Sequence, residues 1–406
     1  MSENFFDALL VYINKKKVLF ILALITAAAA LFCFLILPKI KENQPVKVTV
    51  NSPEMAELSG KAILMYSSSD SVLYKGEMLE GHAEGFGLLY NKSGVLIYEG
   101  FFSENKYCGQ GKLRSDNGTL LYSGEFKDNL YHGQGTCYNS SGKAEYTGGF
   151  ENGKYSGYGK LDSSGVIYEG EFSEGLLNGE GTLSAGGTLL YKGGFRKNLF
   201  HGSGVLYNEN GEIIFRGCFE DGQYSGDGEL YDNGELIYRG CFLRNLYNGE
   251  GEVYSEGCLL YRGSFVMGAR TGEGTEYDKN GDVIYSGTFE NGAYNGEGSL
   301  YAQGSLFYKG EFQSGKRTGQ GKEYDADGHL IYEGGFLNGL YDGTGTLYDR
   351  KTGAKVFSGT FRDGKALEEE APSKPEEPDD LTDLTDLPDL PDLTDPDDIR
   401  DKSEDR

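Results

Sequence analysis

Aromatic and glycine residues recur along this chain with a period of about 23 residues, and the spacing inside each repeat is that of a β-strand. An aromatic residue, any residue, then glycine begins at Tyr74 and recurs as far as Phe357, thirteen times in all. Because side chains alternate between the faces of a strand, Tyr122, Gly124 and Phe126 share one face and the polar residues between them share the other. Each repeat is therefore predicted to hold a strand with one aromatic and one polar face.

A second alternating stretch follows in each repeat except the last, and it carries a Gly-x-Gly pair. In one repeat it runs from Gly133 to Tyr138, after the turn-forming residues 127–129. Two alternating stretches joined by a turn predict a β-hairpin. The residues that define two successive repeats are Tyr98, Gly100, Phe102, Gly109, Gly111, Tyr122, Gly124, Phe126, Gly133 and Gly135.

The glycines need a physical reason, because glycine inside a strand normally weakens it and marks a close approach to the backbone. The chain has 63 glycines, 30 tyrosines and 23 phenylalanines, but no tryptophan. We expect aromatic rings from neighbouring strands to lie over these glycines, where no Cβ keeps them from the backbone.

The string Tyr-x-Gly-x-Phe, a short turn, an aromatic residue and Gly-x-Gly resembles the MORN repeat, the membrane occupation and recognition nexus. The resemblance covers residues 66–365. It implies an all-β fold, an elongated single-sheet antiparallel meander of about thirteen β-hairpins, used as a scaffold for protein partners and often forming a homodimer. The chain departs from the family by using Phe where many units carry Trp. It also lacks most of the basic stretch before Gly-x-Gly, which argues against anionic lipid binding by the array.

The N-terminal region predicts a membrane anchor. Val18–Leu37 is an uncharged run of twenty residues with three lysines directly before it, and its length as a helix matches a hydrocarbon core of about 30 Å. The run is longer than the apolar part of a cleaved signal peptide, and no Ala-x-Ala site follows it. We therefore predict a short segment at 1–17, a single transmembrane helix, and a juxtamembrane linker at 38–65. The lysines favour the N-terminus inside, which places the array outside the cytoplasm.

The C-terminal residues 366–406 form an acidic tail with 17 acidic residues against 4 basic ones. Its Asp-Leu-Thr and Asp-Leu-Pro triplets cannot bury a core, so we predict disorder. The tail either solubilises the protein or presents regularly spaced leucines to a basic partner. The net charge of the whole chain is −25, and because binding to phosphates needs clustered Lys and Arg, nucleic-acid binding is excluded.

The sequence offers no catalytic constellation, cofactor motif or metal site, and we predict that the protein is not an enzyme. The four histidines are dispersed, and we expect them in surface turns. The string Asp325–Gly328 begins like a calcium loop but lacks the further ligands, so it predicts a turn. Cys218 and Cys241 share a slot in successive repeats, about 9.6 Å apart at the usual strand spacing, which is too far for a disulfide.

The most favoured function is a membrane-anchored scaffold for protein partners of unknown identity. Alternation places a row of tyrosines on the face opposite the packed glycines, and these are the candidate partner-binding residues. They are Tyr207, Tyr231, Tyr254, Tyr277, Tyr301, Tyr324 and Tyr348. They pack internally in the competing interpretation. The alternative function is recognition of cell-wall or other carbohydrate through exposed tyrosines.

Overall fold

The structure is a computed structural model that describes residues 44–367. These residues form 28 β-strands and one turn of 3-10 helix at Pro53–Met55. Within them, no helix has the length and apolar character needed to cross a membrane. The anchor predicted at Val18–Leu37 and the tail from residue 368 onward lie outside the described residues.

The described residues divide into two compact units, one of residues 44–164 with 171–175 and one of residues 165–170 with 176–367. The strands of the first are β1 (Val46–Thr49), β2 (Gly60–Met65), β3 (Val72–Leu79), β4 (His82–Tyr90), β5 (Leu96–Ser103), β6 (Lys106–Arg114), β7 (Leu120–Lys127), β8 (Leu130–Tyr138), β9 (Ala144–Glu151) and β10 (Lys154–Ser163). The division falls within β11 (Val166–Ser173).

The strands of the second unit are β12 (Leu176–Ala185), β13 (Thr188–Arg196), β14 (Leu199–Tyr207), β15 (Ile213–Glu220), β16 (Gln223–Asp232), β17 (Glu235–Leu243), β18 (Leu246–Ser255), β19 (Cys258–Val266), β20 (Ala269–Tyr277), β21 (Val283–Glu290), β22 (Ala293–Ala302), β23 (Ser305–Gln313), β24 (Lys316–Tyr324), β25 (Leu330–Leu337), β26 (Leu340–Tyr348), β27 (Lys355–Arg362) and β28 (Lys365–Leu367). From β2 to β10 and from β12 to β28, each strand pairs antiparallel with the next. The prediction of an all-β meander of hairpins is confirmed.

A two-residue turn joins the strands of each hairpin. In the turn between β7 and β8, Asp128 and Asn129 both have positive φ, 51° and 69°, which is the type I′ geometry that suits the twist of a hairpin. The Asn129 side chain also reaches the preceding hairpin, where its Oδ1 accepts a hydrogen bond of 2.8 Å from the Tyr107 backbone N–H. Each turn therefore closes its own hairpin and also ties it to its neighbour.

The core lies on one face of the sheet and consists of aromatic rings. Tyr98 is fully buried, and its ring packs edge-on against Phe102 of its own strand and Phe126 of the next hairpin, with centroids 5.0 and 5.3 Å away. Tyr107, from the second strand of the same hairpin, stacks on the Tyr98 ring at 3.7 Å. The Tyr98 hydroxyl donates to the Phe101 carbonyl at 3.0 Å. This bond explains why most first aromatic residues are Tyr and not Phe, since a buried hydroxyl must find a partner.

The glycines on the core face lie under the rings. Over Gly135 the ring comes from the neighbouring strand, as predicted, whereas over Gly124 it comes from the same strand. A Cβ at Gly124 would stand 2.5 Å from the Tyr122 hydroxyl oxygen, and a Cβ at Gly135 the same distance from Cζ of that ring. The first glycine of the pair has a different role, because Gly133 has φ 58° at a point where the β7–β8 register shifts. It forms a bulge, in which glycine accepts the left-handed conformation.

The linker predicted over 38–65 is corrected by two strands within it. β1 pairs in parallel with β2, and β2 pairs antiparallel with β3. Ala62 and Leu64 are buried. β2 therefore covers the first repeat in the way that the second strand of the preceding hairpin covers each later repeat. Strand β2 was not predicted, because Gly60–Met65 lacks the aromatic-x-Gly string and lies between Pro53 and the first repeat.

Candidate binding face

The face of the sheet opposite the aromatic core is called the outer face here, and it carries the seven candidate tyrosines. Each lies at or near the end of the second strand of its hairpin, and each is half-buried. Ring contacts in the second unit run through core residues such as Phe215, Tyr238 and Tyr285, and not through these seven. They are Tyr207, Tyr231, Tyr254, Tyr277, Tyr301, Tyr324 and Tyr348.

Two of these tyrosines are held by a carboxylate two residues earlier on the same strand. The Tyr231 hydroxyl donates to Glu229 Oε2 at 2.7 Å, and the Tyr254 hydroxyl donates to Glu252 Oε2 in the same way. Residues two apart share a face of a strand. The bonds therefore place both tyrosines on the outer face together with the charged residues.

These carboxylates belong to a row of alternating charges that crosses five successive strands, β15 to β19, with one residue from each. Arg216, Glu229, Arg239, Glu252 and Arg262 are directly opposed in register, and we name them the Arg/Glu ladder. The shortest contacts are 3.1 Å from Arg239 Nε to Glu229 and 2.8 Å from Arg262 Nε to Glu252. Opposite charges directly across strands stabilise the pairing, and here they also fix the tyrosines beside them.

The ladder sets the ionisation of its carboxylates. The hydrogen bond from Tyr231, joined by one from Arg239, holds the pKa of Glu229 below its ordinary value against the opposing effect of partial burial. Tyr254 and Arg262 lower the pKa of Glu252 in the same way. Both groups are thus carboxylates at neutral pH and accept these hydrogen bonds. A depression of about 480 Å³ over Arg216, Glu229 and Arg239 is open to solvent, which suits a broad contact better than an enclosed small molecule.

Further along the outer face, two lysines lie opposite each other. Lys309 and Lys322 are directly opposed on β23 and β24, and Lys322 Nζ lies 3.0 Å from Glu333 Oε1. Like charges directly opposite each other destabilise a sheet. An acidic side chain of a partner placed between these lysines would relieve the repulsion.

Two ion pairs on the core face were not predicted from the sequence. Arg270 and Arg317 occupy the position that holds a stacking ring in most repeats, and each pairs with a carboxylate six residues on, Glu276 at 3.1 Å and Glu323. Arg270 lies over the Tyr261 ring, 4.6 Å from its centroid. The sequence did hold a signal for these pairs. In the two repeats where Arg replaces the stacking ring, Glu also replaces the aliphatic residue found in most other repeats.

Three polar residues near one turn have side chains of the kinds that bind metal ions. Asp325, Asp327 and His329 bring ligand atoms within 4.8 Å of one another. However, Asp325 Oδ1 accepts the backbone N–H groups of Asp327 and His329, at 3.1 and 2.8 Å, which is the turn that the sequence predicted. The expectation for the histidines needs correction, because His132 and His201 lie inside β8 and β14 and not in turns.

The cysteines within the described residues are free thiols, as the strand spacing predicted for Cys218 and Cys241. They are Cys108, Cys137, Cys218, Cys241 and Cys258. The thiol of Cys241 donates to Asp227 Oδ1 at 2.9 Å across the β16–β17 pair. That bond raises the pKa of the Cys241 thiol, with partial burial adding to the effect, so the thiol stays protonated at neutral pH and is a poor nucleophile.

The comparison with known families agrees with this geometry. Nine segments match the family model of the MORN repeat, at residues 98–120, 122–143, 146–165, 168–188, 191–213, 261–283, 285–305, 308–330 and 332–351. No curated protein matches the chain. Each matched segment begins at the first aromatic residue of a hairpin, the ring that lies over the two core glycines. The chain therefore carries MORN repeats.

Proposed function

We propose that the protein is a non-enzymatic scaffold for protein partners, anchored in a membrane through Val18–Leu37 with its repeat array outside the cytoplasm. MORN repeats are commonly protein-interaction or membrane-binding modules, and the family is in general not enzymatic. The lysines before the apolar run support the anchor and its orientation. The acidic charge of the chain and the loss of the basic stretch favour protein over anionic lipid as what the array binds.

One observation carries the binding proposal: the outer face presents tyrosines that are already fixed in place. Tyr231 and Tyr254 are half-buried, and carboxylates of the Arg/Glu ladder hold their hydroxyls. Tyrosine brings a large contact area at low entropic cost, and prior fixation lowers that cost further. The flanking arginines are the other residue type enriched in the energetic centres of protein interfaces.

The test is partner capture by the full chain from membranes after crosslinking, with bound proteins quantified by mass spectrometry. A variant with Tyr254, Tyr277 and Tyr301 all changed to Ser should lose captured partners severalfold, because these rings provide the contact area. The matched control changes Tyr90 and Tyr138 to Ser, which occupy the same slot in the first unit. Equal capture by the triple variant and the parent would show that the tyrosines do not bind.

A thermal unfolding measurement separates binding from stability. The triple variant should keep its transition within a few degrees of the parent, since half-buried side chains on one face contribute less than core rings. A loss of several kcal/mol would place the tyrosines in the structural core instead. If capture is lost only for glycan-bearing material, the partner is a carbohydrate and the protein interpretation fails.

The orientation has its own test. Protease added to intact cells should cleave the array, because the proposed topology exposes it. Cleavage that requires disruption of the membrane would place the array in the cytoplasm. A control protein of known cytoplasmic location must stay intact in the same experiment.

A further inference from the structure

The turns within the hairpins of the second unit lie along one edge of its meander, and this edge is apolar at intervals. The two residues that flank each turn are paired, as Leu243 with Leu246 and Leu337 with Leu340. These four leucines are 39 to 52% exposed. Each leucine lies one position after or before a core pair, Phe242 with Tyr247 or Phe336 with Tyr341. Alternation therefore places the leucines on the outer face. We call the segments 243–246, 266–269, 290–293, 313–316 and 337–340 the hairpin edge.

One segment between these two ends also carries exposed apolar side chains. Val266 and Met267 are 55 and 64% exposed in the second of the five segments. The third and fourth segments are more polar, with Glu290 and Ala293 flanking one turn and Gln313 and Lys316 flanking the other. Scattered exposed leucines need no explanation, but exposed apolar side chains that recur in three of five segments along one edge point to something that covers them.

The spacing of hairpins along the hairpin edge is close to the spacing of leucines in the acidic tail. One hairpin advances the sheet by two strands, about 9.6 Å. The tail has leucine at every third residue, Leu381, Leu384, Leu387, Leu390 and Leu393. Three residues of polyproline II helix advance about 9.3 Å and make one turn, so these leucines would form a single stripe. Over the four intervals from the first leucine to the last, the two periods differ by only about 1.2 Å.

Charge favours the same pairing. Within the hairpin edge and the adjoining turn at 362–365, the charged residues are Arg244, Glu290, Lys316, Arg362, Asp363 and Lys365, four basic against two acidic. This is a locally basic line on a protein of net charge −25. In the tail, an aspartate precedes each of the five leucines. The aspartates of the tail would be attracted electrostatically to this basic line, whereas most of the array is acidic and would not attract them.

The connection between array and tail allows this contact within one chain. β28 has only three residues, Lys365–Leu367, so the chain leaves the sheet within about 10 Å of the turn that precedes it. That turn is the next one along the same edge. The 13 residues between Leu367 and Leu381 can span about 40 Å, which is enough to reverse direction and reach the edge.

We propose that residues 381–393 of the tail lie along the hairpin edge of their own chain, with one leucine on each of five successive hairpins. The leucine stripe covers the exposed aliphatic pairs, and the aspartates face the basic line. The candidate tyrosines are at the other end of the second strands, as Tyr231 in β16 is, so the tail leaves them accessible. The proposal does not depend on the identity of a partner.

Site-specific photocrosslinking of the full chain tests the register. A photoreactive residue replaces Leu384 in one sample and Leu390 in another, and crosslinked peptides are located by mass spectrometry. Each sample should give crosslinks concentrated on one or two hairpin-edge segments. Moving the probe by six residues should shift the crosslinks by two hairpins, toward lower residue numbers because the tail starts at the C-terminal end. Crosslinks that are scattered, absent or independent of probe position overturn the proposal.

Variants on the array side supply a matched control. Changing Leu243, Leu246, Leu337 and Leu340 to Ser should reduce the crosslink yield severalfold, and since these residues are exposed the fold should be kept. Changing Leu79 and Leu130, exposed residues beside turns of the first unit, should leave the yield unchanged. Mixing isotopically heavy and light chains identifies the source of the tail. Crosslinks between heavy and light peptides would show that a second copy supplies it and would refute the contact within one chain.

Discussion

Tyr238 and Tyr247 lie face to face, with ring centroids 3.7 Å apart and ring planes 4° from parallel. The Tyr247 ring also packs edge-on against Phe242 and Phe265, so it completes the aromatic packing around Tyr238. The stacked pair recurs in other repeats, as Tyr98 with Tyr107, Tyr122 with Tyr131, Tyr146 with Tyr155, Tyr191 with Phe200, Phe215 with Tyr224, Tyr285 with Tyr294, and Tyr332 with Tyr341.

Truncation of the stacked ring should therefore be costly. We expect Tyr247→Ala to lower the free energy of unfolding by about 3–5 kcal/mol, because it removes a large ring and opens a cavity. Tyr254→Ala, on the outer face of the same strand, is the comparison and should cost clearly less. Chemical denaturation followed by circular dichroism measures both. Equal losses would mean that the stacked ring contributes no more than a half-buried one.

The space under the core ring leads to a second prediction. Gly135→Ala places a methyl group against the Tyr122 ring, so we expect a loss of about 3 kcal/mol or more, at the upper end of what overpacking costs. Gly142→Asn is the control, since this turn glycine has φ 79° and open space around it, and Asn tolerates that conformation. Thermal unfolding of the two variants should differ by many degrees, and similar midpoints would contradict the packing described.

The buried pair of Arg317 and Glu323 gives a third prediction. The Glu323 side chain is 4% exposed, so Arg317→Leu strands a buried carboxylate and should cost about 3–5 kcal/mol. The neighbouring hairpin supplies the matched replacement, because it carries Tyr294 and Leu300 at the two equivalent positions. Arg317→Tyr combined with Glu323→Leu should restore the stability of the parent or exceed it by about 1–4 kcal/mol. A double variant as unstable as the single one would show that the pair has a role beyond mutual neutralisation.

Alkaline unfolding is the fourth prediction. Burial raises the pKa of Tyr155 and Tyr247 to about 12 in each case, against about 10 in the unfolded chain. The folded state therefore binds these protons more tightly than the unfolded state does. The resulting stability is complete below about pH 10 and is lost as the pH rises toward 12.

A tyrosine-to-phenylalanine change isolates this effect. Tyr247→Phe keeps the stacked ring, as Phe200 does in another repeat, and removes the ionisable hydroxyl. The pH midpoint of unfolding, followed by circular dichroism, should move upward relative to the parent. A midpoint that falls or stays the same would show that ionisation of this hydroxyl does not drive the transition.

The sequence predicted the hairpins and the core face because both depend on short-range order. Alternation within one strand fixes which side Tyr122 and Phe126 take, and the turn residues fix where the strand ends. The left-handed conformation of Gly133 depends instead on how β7 and β8 pair, which spacing along one strand does not reveal. The stacking of Tyr131 on Tyr122 depends on the same strand register.

The candidate site was likewise predicted only in part from the sequence. Alternation was enough to predict that Tyr231 lies opposite the aliphatic residue before it. Its anchoring by Glu229, and the contact of Glu229 with Arg239, join residues on different strands. Charges at equivalent positions of successive strands were present in the sequence, but bulges shift the register both within hairpins and between them. Opposed charges could not be assigned without knowing those shifts.

The contact of each core tyrosine with the phenylalanine of the next hairpin bears on how such a chain changes in evolution. Tyr98 meets Phe126 as Tyr238 meets Phe265, so most junctions are built from the same two residue types. Duplication or deletion of one whole repeat in the gene recreates an intact junction, whereas an insertion of a few residues destroys one. The number of repeats can therefore drift while the junctions stay constant. Loss of a repeat has a further cost where its tyrosine hydroxyl bonds a carboxylate of the repeat before it, as Tyr294 donates to Glu276 Oε2 at 2.7 Å and Tyr341 donates to the buried Glu323.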